Sequence, residues 1–430
     1  MSAGRLNVDH VTATVERAQR LRHEDPGMRR VRLGLFAAGL ATFALLYTPQ
    51  PLLPQLSRAF HAGPAAASLA MSAGTAALAL AVIPVSSLSE VLGRRVVMTT
   101  SVLAAAVLGL LAPLAPSLPA LVAVRVLEGL ALAGVPAAAM AYLAEEVAGR
   151  DLGRAMGLYI AGNAVGGLGG RVIAGVLAEH GGWRVALAGV GALALGCAVA
   201  FAAVLPRQRF FTPAKPRVRA LSRTLAANLA DTGLLRLYLI GFALMGAFVT
   251  VYNYLTFRLS AAPFGLSASV IGALFTVYLA GMWSSAQAGQ LADRAGRHVV
   301  LPAGVLLAIG GVALTLPASL PCIVAGLVLT TAGFFAAHSV ASGWVGGRAR
   351  TAPAQASALY LCLYYVGSSV AGSAGGVCYV RGGWPLVAAF AVALLGVALA
   401  SALSLRPGRA TQAGDSDPAT RWATRIRCDT

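Results

Sequence analysis

Two opposite charges lie three residues apart inside a stretch that is otherwise apolar. Arg125 and Glu128 belong to the segment RVLEGLALAG, and this separation places both side chains on one face of a helix. An ionised group at the centre of a bilayer costs about 2.5 to 3.5 kcal/mol, so a charge there is a functional hypothesis. Two interpretations stay open: Glu128 carries a proton whose release Arg125 controls, or the two residues form a structural ion pair.

A second arginine, Arg171, lies among the glycines Gly157, Gly166, Gly170 and Gly175 of another apolar stretch. Its guanidinium is either an anion or carboxylate site that faces a cavity, or a partner for a nearby acid or for backbone carbonyls. We favour the cavity role, because a charge inside the membrane usually marks a substrate or ion pathway.

Polar and aromatic side chains recur in the apolar stretches and are candidates for a solute pathway. His338 titrates near neutral pH when unperturbed, although a buried histidine is also a common hydrogen-bonded core residue. The aromatic residues can equally be interface anchors or packing. The candidates are Tyr47, Asn163, Tyr252, Asn253, Tyr278, Trp283, His338, Tyr360, Tyr364 and Tyr365.

Two charged turns that contain glycine repeat along the chain. SSLSEVLGRR begins at Ser86 and GQLADRAGRH begins at Gly289, a separation of 203 residues. A carboxylate at a helix N-terminus, clamped by arginines, would hold neighbouring helices together; the alternative is a charged turn that serves topology alone. The residues concerned are Ser86, Glu90, Gly93, Arg94 and Arg95 in the first copy and Gly289, Asp293, Arg294, Gly296 and Arg297 in the second.

The elements that position these residues are predicted to be membrane helices. The 430 residues are 58% hydrophobic and 11% charged, whereas a soluble globular chain is about 45 to 50% apolar and about 25% charged. A bilayer core requires roughly 20 apolar residues per helix, and the sequence offers twelve such stretches. We therefore predict an all-α membrane protein with twelve transmembrane helices.

The positive residues are distributed unevenly between alternate connections. If the N-terminus is inside, the external loops hold only Arg58, Arg184, Arg258 and Arg381 of the 33 Lys and Arg residues. Cytoplasmic loops carry such an excess of positive charge. We therefore predict a multi-pass protein of a bacterial inner (plasma) membrane with both termini cytoplasmic, and we assign the net charge of +18 to topology and anionic lipid rather than to nucleic acid.

The apolar stretches divide into two related sets of six. GLYIAGNAVGG from Gly157 parallels ALYLCLYYVGS from Ala358, and Gly-Gly-Trp follows each helix. Such duplication is typical of transporters that rock two bundles about a midplane site. The predicted units are a cytoplasmic N-terminal tail (1–32), an N-terminal six-helix bundle (33–205), a cytoplasmic linker (206–234), a C-terminal six-helix bundle (235–405) and a cytoplasmic C-terminal tail (406–430).

Sequence signals for several other function classes are missing. There is no G-x4-G-K-S/T loop for a nucleotide, so we predict that a gradient supplies the energy. There is no Ser-His-Asp or H-E-x-x-H arrangement, which argues against an enzyme. The five cysteines have no paired external spacing, so we expect no disulfide framework, metal or cofactor.

The second charged turn, the RVLEG segment and the glycine series resemble the major facilitator superfamily over residues 30 to 405. GLYIAGNAVGGLGGR, AFVTVYNYLTFRLS and AGFFAAHSVASGW look like YnfM-type inner-membrane permeases of its drug:proton antiporter and sugar-efflux-like branch. Ser86 and Glu90 depart from the family signature. Arg171 replaces the proline of an antiporter motif associated with export, which leaves the direction of transport open.

This resemblance implies that the charged turns latch the cytoplasmic side in one conformer, and that helices 1, 4, 7 and 10 line a cavity. Tyr47, Arg125, Glu128, Asn253 and His338 are then the preferred pathway residues. The implied function is proton-coupled efflux of a small organic solute, such as a drug-like compound, sugar or amino-acid derivative, by alternating access. The alternatives are a proton-linked uptake symporter and a non-transporting membrane sensor or scaffold. We expect a monomer whose partners are the solute, protons and membrane lipid.

Overall fold

A computed structural model describes Leu21 and residues 24–213, 218–349 and 352–405. The predicted C-terminal tail (406–430) and most of the predicted N-terminal tail (1–32) lie outside this part of the chain. The regular elements are α-helices with three short 3-10 turns. The α-helices are α1 (Pro26–Tyr47), α2 (Leu53–Ala59), α3 (Pro64–Leu92), α4 (Arg94–Leu111), α5 (Leu118–Leu132), α6 (Gly134–Glu146), α7 (Gly149–Val204), α8 (Val218–Ala230), α9 (Thr232–Ser260), α10 (Ala268–Ala273), α11 (Tyr278–Ala295), α12 (Arg297–Leu314), α13 (Leu320–Arg348) and α14 (Pro353–Leu403).

Ten segments of the described chain are long and apolar enough to cross a membrane. Two of them, Asp151–Val204 and Pro353–Leu403, contain 54 and 51 residues, more than twice the roughly 20 that one crossing requires. Backbone angles that are not helical interrupt the first at Gly182 and the second at Gly382 and Gly383. Both breaks fall in the Gly-Gly-Trp repeats of the sequence.

Contacts with α1 demonstrate that α7 folds back on itself at its break. A Cβ on Gly34 would lie 3.5 Å from the Phe201 ring, and a Cβ on Gly39 would lie 3.1 Å from the Asn163 backbone nitrogen. Residues 163 and 201 would be about 57 Å apart along a straight helix, whereas Gly34 and Gly39 are separated by little more than one turn. The two arms of α7 must therefore run antiparallel.

The same reasoning applies to α14. Arg236 donates a hydrogen bond of 2.8 Å to the Ser404 carbonyl, and a Cβ on Gly241 would lie 2.7 Å from the Tyr360 ring. Residues 360 and 404 would be about 66 Å apart in a straight helix. Counting the arms of α7 and α14 separately turns the ten apolar segments into twelve rods, the predicted number.

Both charged turns have the same backbone geometry. Gly93 ends α3 with φ 98° and ψ 140°, and Gly296 ends α11 with φ 90° and ψ 143°. Positive φ values of this size strain every residue except glycine. The turn allows α4 and α12 to begin at the next residue, so the repeated glycine has a direct structural cause.

The two halves, residues 26–205 and 232–405, pack against each other at one end. We call the side of the molecule that carries the two charged turns the signature side, and the opposite side the far side. On the far side, a Cβ on Gly175 would lie 2.8 Å from the Gly272 Cα. Beside them, the Glu179 carboxylate accepts hydrogen bonds from the hydroxyls of Ser267 and Ser269. Only residues without side-chain bulk permit this approach of α7 and α10.

Helices α3 and α14 form the second contact between the halves. A Cβ on Gly376 would overlap Ala65, and the Thr75 and Ser369 hydroxyls are joined by a hydrogen bond of 2.7 Å. These contacts occupy the part of α3 that lies away from its charged turn. The far side is therefore closed along both flanks.

On the signature side, the arginines contact residues of their own half. Arg94 donates to Glu145 at 3.2 Å and to the Ser89 hydroxyl at 2.5 Å, while Arg297 donates to the Gly343 carbonyl at 3.5 Å. These interactions tie α4 to α3 and α6, and α12 to α13. They stabilise each half separately.

The beginning of the predicted linker (206–234) is attached to the first half. Glu146 is 1% exposed, and its carboxylate accepts hydrogen bonds from the backbone nitrogens of Arg209 and Phe210 at 2.8 and 3.1 Å. Arg95 donates its backbone N–H to Gln208 at 3.0 Å. The linker also contains the helix α8.

Candidate functional site

Arg171 of α7 is a charged group buried between the two halves. Its side chain is 2% exposed. The guanidinium donates from Nε to the Gln50 side-chain oxygen at 2.7 Å and from Nη1 to the Gly167 carbonyl at 2.5 Å. Both acceptors are neutral, so the positive charge of Arg171 is solvated by dipoles.

Aromatic rings from both halves surround this guanidinium. Its carbon Cζ lies 4.0 Å from the ring centroid of Tyr47 in the first half. It lies 4.8 Å from the centroid of Tyr278 and 5.1 Å from that of Phe275, both in the second half. A desolvated cation–π contact contributes about 2 kcal/mol, so the rings stabilise Arg171 and link the halves. We call Tyr47, Gln50, Arg171, Asn253, Phe275 and Tyr278 the central site.

A hydrogen-bond chain extends from Arg171 into the second half. Gln50 donates its amide to the Asn253 side-chain oxygen at 2.9 Å. Asn253 is fully buried, and its Nδ2 has no hydrogen-bond partner among the described residues, as is also true of the Ser72 hydroxyl. These two atoms lie 3.6 and 3.4 Å from the Cβ position of Gly372. Two unsatisfied polar groups therefore face one spot beside the central site.

An aromatic cluster continues from the central site into the second half. Phe248 lies 5.5 Å from Tyr278 and stacks on Phe334 at 3.9 Å between ring centroids. Phe334 stacks on His338 at 5.8 Å, and the His338 Nδ1 lies 3.0 Å from the Tyr360 hydroxyl. The members of this aromatic cluster are Phe248, Tyr252, Phe275, Tyr278, Phe334, Phe335, His338, Tyr360, Tyr364 and Tyr365.

Arg125 and Glu128 form a separate site inside the first half. Arg125 Nη1 lies 2.5 Å from Glu128 Oε2, and the two side chains are 2% and 1% exposed. Arg125 also donates to the carbonyls of Leu45, Leu46 and Ala70 at 3.2, 2.9 and 3.0 Å. One guanidinium thus joins α1, α3 and α5.

A small cavity adjoins this ion pair. Its volume is about 10 Å³, which is room for about one water molecule. Glu128 Oε1 has no hydrogen-bond partner within the described part of the chain. The cavity is lined by Arg125 and Glu128 together with Leu45, Thr48, Gly109, Ala112 and Leu187. All these residues belong to the first half, so Glu128 faces the interior of its own bundle.

The predicted pathway residues are Tyr47, Arg125, Glu128, Asn163, Arg171, Asn253 and His338. The structure brings together three of them, Tyr47, Arg171 and Asn253. His338 lies farther along the aromatic cluster. Asn163 lies on α7 against α1, where its side-chain oxygen would be 2.3 Å from a Cβ on Gly39. Among the weaker candidates, Trp283 is 68% exposed and lies away from both sites.

Sequence reasoning missed Gln50 and four phenylalanines. Gln50 connects Arg171 to Asn253, and an amide in an apolar stretch between two prolines was an available signal. The aromatic candidates taken from the sequence were tyrosines and a tryptophan, so the phenylalanines were left out. They are Phe248, Phe275, Phe334 and Phe335.

The predicted latch residues lie on the signature side. Glu90 and Arg94 are 3.9 Å apart, and the Glu90 side chain is 49% exposed. Asp293, Arg294 and Arg297 are exposed at the end of α11 and the start of α12. In the part of the chain that the structure describes, the arginine contacts of each copy stay within one half.

Comparisons with known proteins identify the family. A model of the Major Facilitator Superfamily matches residues 35–261. The inner membrane transport protein YnfM of Escherichia coli is 45% identical over 381 residues, which cover 89% of this chain and 91% of that protein. The uncharacterised MFS-type transporter YybF of Bacillus subtilis is 42% identical over 379 residues, covering 88% and 94%.

Solved transporters share the fold at low sequence identity. A bacterial homologue of the human lysosomal transporter Spinster, in an inward-facing and unoccupied conformation, has a TM-score of 0.69 at 17% identity and covers 88% of this chain and 95% of that one. A mutant of the nucleoside transporter NupG also has a TM-score of 0.69, at 16% identity, with coverages of 86% and 99%. The fold, the membrane-length helices and the relatives identify a multi-pass inner-membrane transporter. The chain belongs to the major facilitator superfamily.

Proposed function

We propose that this protein exports a small organic solute in exchange for protons by alternating access. The solute class includes drug-like compounds, sugars and amino-acid derivatives. The observation that carries the proposal is the position of the central site: it lies between two repeated halves that are closed against each other on the far side. A site between two such bundles can open to one side at a time.

The positive charges near the signature side favour a cytoplasmic location for it. In that orientation, a conformer that is closed on the far side and open on the signature side would accept solute from the cytoplasm, which is the loading step of an exporter. Release to the outside requires the far-side contacts, such as Gly175 with Gly272, to separate. The arginines of the charged turns would then hold the signature side closed across the halves.

Two groups are proposed as proton carriers. His338 lies in the aromatic cluster next to the Tyr360 hydroxyl, which gives it a partner in either protonation state. Glu128 has one carboxylate oxygen on Arg125 and the other on a cavity of the size of one water molecule. Either group would be protonated in one conformer and deprotonated in the other, which would change the charge of its buried site.

Proteoliposomes with an imposed pH gradient test the coupling. We expect efflux of at least one radiolabelled solute from a panel of a cationic dye, a neutral antibiotic, a pentose and an aromatic amino acid, and we expect the gradient to accelerate it. Glu128→Gln combined with His338→Ala should abolish the acceleration. His180→Ala, an exposed histidine on the far side, is the matched control. Flux that ignores the gradient and survives the double substitution would overturn proton coupling.

Uptake by proton symport is the second candidate, because Arg171 occupies the proline position of the export-associated motif. Exporter and symporter differ in the sign of the pH change that solute addition causes. Solute added to the cytoplasmic side of an antiporter crosses to the opposite side and drives protons in the reverse direction, toward the side of addition. A symporter moves protons and solute in the same direction.

A further inference from the structure

We propose that Arg171 binds the carboxylate of an organic anion whose apolar or aromatic body lies against the aromatic cluster. This proposal rests on the transport function proposed above and names the solute class for the same central site. It starts from a contrast between two buried arginines of one bundle.

Arg125 and Arg171 are equally buried, each 2% exposed, but only one has a counter-charge. Arg125 is neutralised by Glu128 at 2.5 Å. Among the described residues, no carboxylate forms an ion pair with Arg171. A buried charge without a partner is costly, so an unpaired arginine is expected where a mobile anion supplies the missing charge.

The internal repeat gives an independent reason to regard Arg171 as functional. The matching sequence segments of α7 and α14 begin at Gly157 and Ala358, so Gly372 occupies the position that corresponds to Arg171. The backbone contacts of these helices with the other half are alike: Gly175 meets Ala268, and Gly376 meets Ala65. Close packing of the halves therefore requires no arginine. Arg171 therefore adds a charge to one of two contacts between the halves that are otherwise alike.

The hydrogen-bond donors of Arg171, Asn253 and Ser72 suit a carboxylate. A guanidinium presents paired N–H groups that match the two oxygens of a carboxylate. Asn253 Nδ2 and the Ser72 hydroxyl are buried, lack partners within the described residues and face the same spot beside Gly372. Both can donate to an anion. A cationic solute would be repelled by Arg171 and would leave these donors unsatisfied.

The rings define the rest of the ligand. Tyr278 touches Arg171, and Phe248 and Phe334 continue from Tyr278 toward His338. Stacked and edge-on faces of this kind bind apolar or aromatic bodies. A ligand with its carboxylate on Arg171 would therefore extend its body along the cluster.

The bound anion would also loosen the far-side closure. Because Arg171 is only 2% exposed, a carboxylate must displace part of its present surroundings. Two of its partners, Gln50 and the ring of Tyr278, also help to connect the halves, and we infer that the carboxylate displaces one of these. Binding would thus weaken the closed arrangement, which is the differential interaction that a ligand needs in order to shift a conformational equilibrium.

Three probes with one body test the charge preference. The full chain in nanodiscs at neutral pH is titrated calorimetrically with 4-phenylbutyrate, 4-phenylbutyramide and 4-phenylbutylamine. A charge-assisted buried hydrogen bond predicts that the carboxylate binds about tenfold to a hundredfold more tightly than the amide. If the carboxylate binds no better than the amide, or if neither binds, the proposal is overturned.

Variants assign the preference to Arg171. Arg171→Gln should remove the difference between carboxylate and amide, and Arg171→Lys should retain part of it because the charge remains while the paired donors are lost. Arg154→Gln changes an exposed arginine on the same helix and should retain all of it. A thermal midpoint for each variant separates lost binding from lost folding. An unchanged preference in folded Arg171→Gln would contradict the assignment.

These outcomes are independent of proton coupling, because the titrations use no gradient. If 4-phenylbutyrate binds as expected but no flux responds to a pH gradient, the proposed coupling fails and the anion site stands. If flux responds to the gradient but the three probes bind with equal affinity, the proposed coupling stands and the anion site fails.

Discussion

Gln50 and Asn253 are 203 residues apart and share a buried hydrogen bond of 2.9 Å. Gln50 lies in the first membrane-length segment of the first half (Pro26–Ala59), and Asn253 lies in the first such segment of the second half (Thr232–Ser260). Both residues are fully buried, so the bond joins corresponding segments of the two repeats inside the protein.

Removal of this bond should favour opening of the far side. A buried hydrogen bond contributes about 1 kcal/mol net, so Gln50→Ala should raise the ratio of far-side-open to far-side-closed molecules about fivefold. Spin labels at Arg58 and Ala318, both exposed on that side, report the distance in a background without native cysteines. Thr42→Ala, which removes a hydroxyl bond within α1, should leave the distribution unchanged. Equal distributions for the two variants would contradict the expectation.

A side chain at Gly272 should oppose closure more strongly. A Cβ there would lie 3.0 Å from the Gly175 Cα, and the γ-carbons of valine would press further into α7. We expect Gly272→Val to shift the same label distance toward the open value and to stop transport. Gly310→Val is the control, because a Cβ on Gly310 meets no atom within 4 Å. Normal flux in Gly272→Val would rule out this contact as a gate.

Loss of the Glu128 carboxylate should destabilise the first half. Glu128→Ala would leave Arg125 buried without its counter-charge, and breaking a buried ion pair costs about 3 to 5 kcal/mol. The midpoint of chemical unfolding in detergent measures the change. Replacing both residues, as Arg125→Met with Glu128→Leu, should recover part of the loss. If Glu128→Ala unfolds like the parent protein, the pair is not a stabilising element.

A pH dependence of stability is expected at the start of α9. Partial burial alone would raise the pKa of Asp231, but hydrogen bonds from Arg348 and from the backbone of Leu234 and Gly233, together with the Arg348 charge, lower the pKa below its ordinary value. The ionised carboxylate therefore contributes stability that is fully present above about pH 4, the unfolded pKa, and is lost as pH falls through the folded pKa.

Asp231→Asn should lower the thermal midpoint at pH 7 and reduce its fall in acid. The Arg348 Nε lies 2.9 Å from the Asp231 carboxylate, so Arg348→Gln should produce a smaller change in the same direction. Midpoints recorded between about pH 3 and 7, which span the ordinary pKa of an aspartate, provide the measurement. If acid lowers the thermal midpoint of Asp231→Asn as much as that of the parent protein, groups other than Asp231 cause the pH dependence.

Local patterns predicted much of the architecture. The three-residue spacing of Arg125 and Glu128 does place them together, and the repeated glycines at Gly93 and Gly296 do end helices with positive φ. Each depends on residues close in the chain. The Gly-Gly-Trp repeats likewise coincide with the two helix reversals.

The central site could be predicted only in part, because it forms where distant segments meet. Arg171 was singled out by its charge, but its contacts with Tyr278 and Phe275 depend on how α7 approaches the second half. Gln50 was overlooked although an amide between two prolines in an apolar stretch was an available signal.

The hydrogen bonds of Arg125 determine which distances in this protein should stay fixed during transport. Its hydrogen bonds to Leu45, Leu46 and Ala70 clamp three helices to one guanidinium. The three helices should then translate together, so separations within that bundle stay constant throughout the transport cycle. Probe pairs placed there would serve as an internal ruler against which any change between the bundles can be calibrated.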